Sequence, residues 1–105
     1  MAERNFEFDQ EKAILNFQVH KVRFETATLV FSDPMRIERR DDSAGNITGE
    51  ERWQTLGKVK KVLFVVYTER GEKTRLISAR AASKAEKRSY YGNDKSNRKG
   101  WAKAD

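Results

Sequence analysis

The sequence predicts an α+β fold: β-α-α, then a three- to four-stranded antiparallel sheet, then a C-terminal helix. Three observations lead there. The run Val62-Leu63-Phe64-Val65-Val66-Tyr67 is apolar on both faces of a strand, as a central strand requires. Ser83-Lys84-Ala85-Glu86 spells a capping box and so opens a helix. Ahead of the apolar run, two short stretches repeat apolar residues at helical spacing. Helices and strands segregated along the chain make a layered domain around one core.

Taken in order, Asn5-Phe6-Glu7-Phe8 alternates polar and apolar, the period of a half-buried strand. Asp9 is placed to cap a helix, and Glu11 in its first turn suits the positive end of the dipole. Ala13, Ile14 and Phe17 predict one apolar side, with Glu11, Lys12, Asn16 and Gln18 outside it. Phe24, Ala27, Thr28 and Phe31 predict a second short helix, ended by Ser32-Asp33-Pro34. Met35 to Arg39 alternates weakly, and 41–46 reads as a loop. A strand is expected from Glu51 to Leu56, carrying Trp53 and closed by Gly57, and another from Lys61 to Thr68. Gly71 supplies a hairpin turn. On the next strand, Lys73 to Arg80, strict alternation puts Leu76, Ser78 and Arg80 on one face and Arg75, Ile77 and Ala79 on the other. The last helix runs from Lys84 to about Tyr91 and stops at Gly92. Residues 1–92 therefore form the expected domain and 93–105 a polar, flexible tail, in which Trp101 stands out.

Composition narrows the chemistry. The 105 residues contain no cysteine, which removes disulfides and thiolate nucleophiles and fits a reducing cytosol. The single histidine, His20, rules out a two-histidine metal motif. The longest apolar run is far short of the roughly 20 residues a membrane helix needs, and no apolar signal stretch opens the chain. A cytoplasmic protein with no membrane contact is expected. The net charge of +6 is unevenly spread. Residues 1–57 hold 8 Lys/Arg and 11 Asp/Glu, while 58–105 hold 14 and 5. Such a basic half attracts nucleic acid or an acidic protein, or simply keeps the chain soluble.

No cofactor is expected, because the chain lacks a glycine-rich phosphate loop and a dinucleotide fingerprint. The carboxylate pairs Asp41/Asp42 and Glu50/Glu51 are sequence neighbours, which a strand would point to opposite faces, so no metal is expected either. No nucleophile elbow accompanies His20. What remains is arginine: Arg52, Arg70, Arg75 and Arg80 lie on strands or strand ends. Guanidinium grips phosphate bidentately and offsets charge building on a phosphorane, but it is no base. Protons would have to move through His20, Glu50, Glu51, Tyr67, Tyr90 or a lysine. Structural alternatives stand beside each role. Arg70 also reads as an exposed turn residue, Arg80 as an ion-pair partner of Glu51 or Glu86, and His20 as a helix-end cap. Trp53 and Tyr67 read as core residues or as platforms for bases.

The order and spacing of these fragments resemble the BrnT toxin family. The likeness spans residues 6–91 and begins with Phe6-Glu7-Phe8-Asp9, Lys12, Asn16, His20, Val22, Phe24 and Phe31-Ser32-Asp33-Pro34. It continues through Glu50-Glu51-Arg52-Trp53, Gly57, Tyr67-Thr68-Glu69-Arg70 and Arg75-Leu76-Ile77-Ser78-Ala79-Arg80, and closes with Ala82, Glu86 and Tyr90. The resemblance implies a RelE-like ribonuclease fold, metal-independent cleavage of RNA that stops translation, and neutralisation by a BrnA-like antitoxin. That antitoxin's DNA-binding part would bring the pair to operator DNA. The family's active surface maps onto His20, Glu51, Arg52, Arg70 and Arg80, with Tyr90. One departure stands out: Val19-His20-Lys21 replaces the family's Lys-His-Gly. The rival expectation from the residues alone is a non-catalytic basic module that binds nucleic acid or an acidic protein.

Overall fold

The structure, a computed structural model, describes residues 4–42, 50–92 and 100–104. Strand β1 (Asn5–Glu7) leads into helix α1 (Gln10–His20), the short helix α2 (Phe24–Ala27) and a 3-10 turn (Thr28–Ser32). Strands β2 (Ile37–Arg40), β3 (Trp53–Val59), β4 (Lys61–Arg70) and β5 (Lys73–Ala81) follow, then helix α3 (Lys84–Tyr91) and strand β6 (Ala102–Lys103). The predicted α+β order is observed, and β2 to β5 are the consecutive antiparallel strands expected. The sheet grows at both edges into the order β1-β5-β4-β3-β2-β6, with β1 parallel to β5 and β6 antiparallel to β2.

Helices α1 and α2 and the 3-10 turn cover one sheet face, which buries Phe24, Ala27 and Val30 against Leu63, Val65, Tyr67, Leu76 and Ala79. On the other face α3 and Trp101 cover Ile37, Leu56, Val62 and Phe64. Trp101 packs edge-on to Phe64, with ring centroids 6.4 Å apart. Residues 100–104 thus return to the sheet where a flexible tail was expected, because burial of one indole offsets the ordering of a polar segment. Residues 93–99 of that tail, and 43–46 of the expected loop together with 47–49, lie outside the described residues.

Three local expectations change in the structure, and one departure from the family pattern finds its geometry. Gly57 does not close β3 but lies inside it, because a Cβ there would come within 2.6 Å of the Val30 Cβ. On α1, Asn16 is the buried residue, while Ile14 and Phe17 face outward. The Asn16 amide reaches the outer edge of β5, donating to the Val22 and Ala79 carbonyls and accepting from the Ala79 N–H. Alternation on β5 is broken by a bulge: Val66 pairs with Ser78 but Tyr67 with Leu76, leaving Ile77 as the extra residue. Leu76 and Ala79 therefore share the face under α1, and Arg75 and Arg80 share the other. Finally, Lys21 ends α1 in the left-handed region (φ 60°, ψ 27°), the conformation a glycine usually supplies.

Candidate active surface

The register across the sheet places five arginines on one face. Arg39 on β2 opposes Gln54, which opposes Val66 on β4; Arg80 on β5 opposes Phe64. Arg75 opposes Thr68, Arg70 follows two residues later on β4, and Arg52 joins the row through the hydrogen bond from the Asp41 N–H to the Arg52 carbonyl. All lie on the α3 face: Arg39 and Arg80 border α3 and Trp101, and Arg52, Arg70 and Arg75 lie further along the strands.

One of them, Arg70, grips the Glu50 carboxylate, and the charges of Arg75 and Arg52 act on it as well. Arg70 donates from Nε to Glu50 Oε2 at 2.9 Å and from Nη2 to Oε1 at 3.4 Å. That bond, with the fields of Arg70, Arg75 and Arg52, holds the Glu50 carboxyl below the ordinary carboxylate range and raises the Arg70 guanidinium in return. Arg75 Nη1 bonds Glu7 Oε2 at 3.0 Å. Arg52 Nε stands 3.6 Å from Asp41 Oδ2; it is buried and without a hydrogen-bond partner among the described residues, so charge rather than a hydrogen bond ties it there. Asp41 also accepts from Gln54 Nε2 at 3.0 Å, and Gln54 accepts from Arg39 Nε at 2.7 Å. Arg80 grips Glu86 in a two-pronged pair of 2.8 and 2.9 Å and lies over the Phe64 ring, 4.0 Å from its centroid. Of its two anticipated partners, Glu86 is the one it meets.

The other expected site residues sit elsewhere. Glu51 points to the opposite face, pairs with Arg40 at 3.1 Å, and lines a cavity of about 640 Å3 with Trp53, Tyr67 and Arg36. Trp53 and Tyr67 pack on the core under α1 and form that cavity's wall. The Tyr90 hydroxyl donates a short hydrogen bond to Asp33. Burial and that bond push the phenol well above its usual value. Burial alone would raise Asp33, but Tyr90, the Met35 and Lys58 amides and Arg36 together hold it below its ordinary value. His20 ends α1, exposed, and lines a groove of about 290 Å3 with Ile77 and Ser78, along the strand that carries Arg75 and Arg80. The structure thus brings Arg52 and Arg70 together, sets Arg80 and His20 at successive places along β5, and separates Glu51 and Tyr90 from them. Sequence reasoning did not single out Arg39, whose only signal was the weak alternation of 35–39, and ranked Glu50 no higher than Glu51. Among the described residues, no group of three His, Asp or Glu side chains is placed to hold a metal ion. No helix among them is long and apolar enough to cross a membrane.

Residues 8–86 match the family model described as the ribonuclease toxin, BrnT, of a type II toxin-antitoxin system. The chain belongs to the BrnT toxin family. Membership makes it a type II ribonuclease toxin, with RNA as the substrate class and an antitoxin protein as partner. The chain is similar in fold to the crystal structure of the Brucella abortus ribonuclease toxin, BrnT, with a TM-score of 0.55 and 17% identity. That likeness covers 78% of this chain and all of the other. No curated protein matches the sequence. Every residue of the arginine face except Glu7 falls inside the BrnT match.

Proposed function

We propose that this BrnT-family chain is a metal-independent endoribonuclease that works on its arginine face in the cytoplasm, halts translation, and is neutralised by a BrnA-like antitoxin that carries the pair to operator DNA. The exposed Arg70–Glu50 pair on the face that also carries Arg52 and Arg75 is the observation that carries this reading. The RNA 2′-hydroxyl loses its proton to a base, the O2′–P bond forms, the P–O5′ bond breaks, and the departing 5′ oxygen takes up a proton. A 2′,3′-cyclic phosphate and a 5′-hydroxyl result. Arg52 and Arg70 offset the charge growing on the phosphate, and Arg80, fixed by Glu86, holds the strand further along β5. The Arg70–Glu50 pair is exposed, with side chains 50% and 32% accessible, so a phosphate can take the place of the carboxylate. Glu50, ionised at neutral pH, and His20 at the edge of β5 are the groups assigned to proton transfer; Glu51, on the opposite face, and Tyr90, bonded to Asp33, are assigned support of the sheet and of α3.

Cleavage of a short RNA by the purified protein tests this. The products are expected to carry cyclic phosphate, chelator to leave the rate unchanged, and a 2′-deoxy substrate to resist. Arg52→Ala and Arg70→Ala are each expected to slow cleavage about a hundred- to a thousandfold, and Glu50→Gln or His20→Ala about a hundred- to ten-thousandfold, with Glu51→Gln close to wild type. Because Arg70 depresses Glu50, the acid limb of the pH–rate profile should move to higher pH in Arg70→Ala. Loss of activity in chelator would overturn the scheme, and RNA binding with no cleavage would favour the basic binding module.

A further inference from the structure

Helix α1 presents apolar side chains to solvent although it belongs to a packed layer. Ile14 and Leu15 are each 59% exposed and Val19 63%. Leu15 and Val19 border the groove against β5 that also holds Ile77, with Lys12 and His20 along it. No carboxylate lines this groove among the described residues, so it is apolar with the Lys12 ammonium and the His20 imidazole at its rim. At Ala79, where β5 leaves the groove, Asn16 already takes both the N–H and the carbonyl, so an added strand could not run on along this edge. An occupant must therefore dock through side chains, as an amphipathic helix does, rather than add a strand. A second copy of this chain would bring Lys12 and His20 against their own equivalents and its +6 charge against the same charge.

We infer that the groove between α1 and β5 seats an acidic amphipathic helix of the antitoxin, its apolar side chains on Leu15, Val19 and Ile77 and its carboxylates on Lys12 and His20. The inference rests on the toxin-antitoxin reading above and names the docking surface for that partner. It also gives neutralisation a physical route: a helix seated there covers His20 and crowds the Ser78 stretch of β5, next to the arginine face.

The test is titration of the purified toxin with its antitoxin protein, together with cleavage by the free toxin. Leu15→Glu/Val19→Glu changes two side chains that are already exposed, so its melting temperature and free cleavage rate should equal wild type while its Kd rises about a hundredfold. Lys12→Glu alone should raise Kd about tenfold, and more steeply at low salt. Wild-type Kd in both variants would overturn the docking surface and leave the toxin-antitoxin reading intact. Absence of any binding by the wild type would instead sink that reading. A dimer of the free wild-type chain, dispersed by Leu15→Glu/Val19→Glu in sedimentation, would overturn the inference in favour of a second copy.

Discussion

The Asn16 side chain satisfies three buried backbone groups at once: the carbonyls of Val22 and Ala79 and the N–H of Ala79. Strand β1 pairs only with the first part of β5, at Lys73–Arg75, so at Ala79 this amide stands where a neighbouring strand would. Replacing it by Leu leaves those groups unpaired and is expected to cost about 3 kcal/mol or more. Asn16→Asp should be at least as damaging, because a carboxylate oxygen would face two carbonyls in a buried position. Urea unfolding of both variants checks this, and an Asn16→Asp protein as stable as wild type would refute it. A hydropathy pattern assigns Asn16 to solvent because polarity is all it registers; the partner lies 63 residues away. Lys21 illustrates the same limit from the other side. The departure from a family glycine was plain in the sequence, yet the Lys21 backbone adopts the left-handed conformation that a glycine usually supplies.

At the level of elements, α3 was fully legible. Its capping box is local chemistry, and both bonds form: Glu86 N–H to the Ser83 hydroxyl at 3.1 Å and Ser83 N–H to Glu86 Oε1 at 2.8 Å. The faces of β5 were not legible, because one bulge inverts every side chain beyond it, and nothing between Arg75 and Arg80 marks Ile77 as the extra residue. That inversion carries Arg80 to the α3 face, where Glu86 joins α3 to the sheet. Burial alone would raise the Glu86 carboxyl, but the Arg80 and Ser83 bonds outweigh it and hold it below its ordinary value. A depressed carboxyl stabilises the fold above its unfolded value and loses that contribution as pH falls through the folded one. Glu86→Gln should therefore lose about 1–2 kcal/mol near neutral pH. Its deficit should shrink on acidification, as wild type loses the same ion pair. Urea midpoints measured at neutral and at acid pH decide it; a deficit independent of pH would show that the charge contributes nothing.

Across the whole molecule, the division of labour between the two sheet faces explains why charge asymmetry was visible in the sequence while the site was not. The helices between β1 and β2 cover most of one face with apolar side chains and leave its β2 end to the cavity lined by Arg36, Arg40 and Glu51. Helix α3, only 8 residues long, covers part of the other and leaves the rest to Arg39, Arg52, Arg70, Arg75 and Arg80. Two of these come from the half of the chain whose net charge is negative, so the cationic surface is assembled by strand register rather than by local composition. RNA binding should then follow counterion release from a few fixed contacts. For three phosphates held by Arg52, Arg70 and Arg75, log Kobs for an uncleavable 2′-deoxy strand should fall with log salt at a slope of about −2, and Arg70→Ala should flatten it by about 0.7. Leu15→Glu/Val19→Glu, placed in the groove between α1 and β5 and outside the arginine contacts, should leave the slope near its wild-type value apart from a small long-range term. A slope that Arg70→Ala does not change would mean that the phosphates lie elsewhere on the basic half, and that the arginines are held by their carboxylates even when RNA is bound.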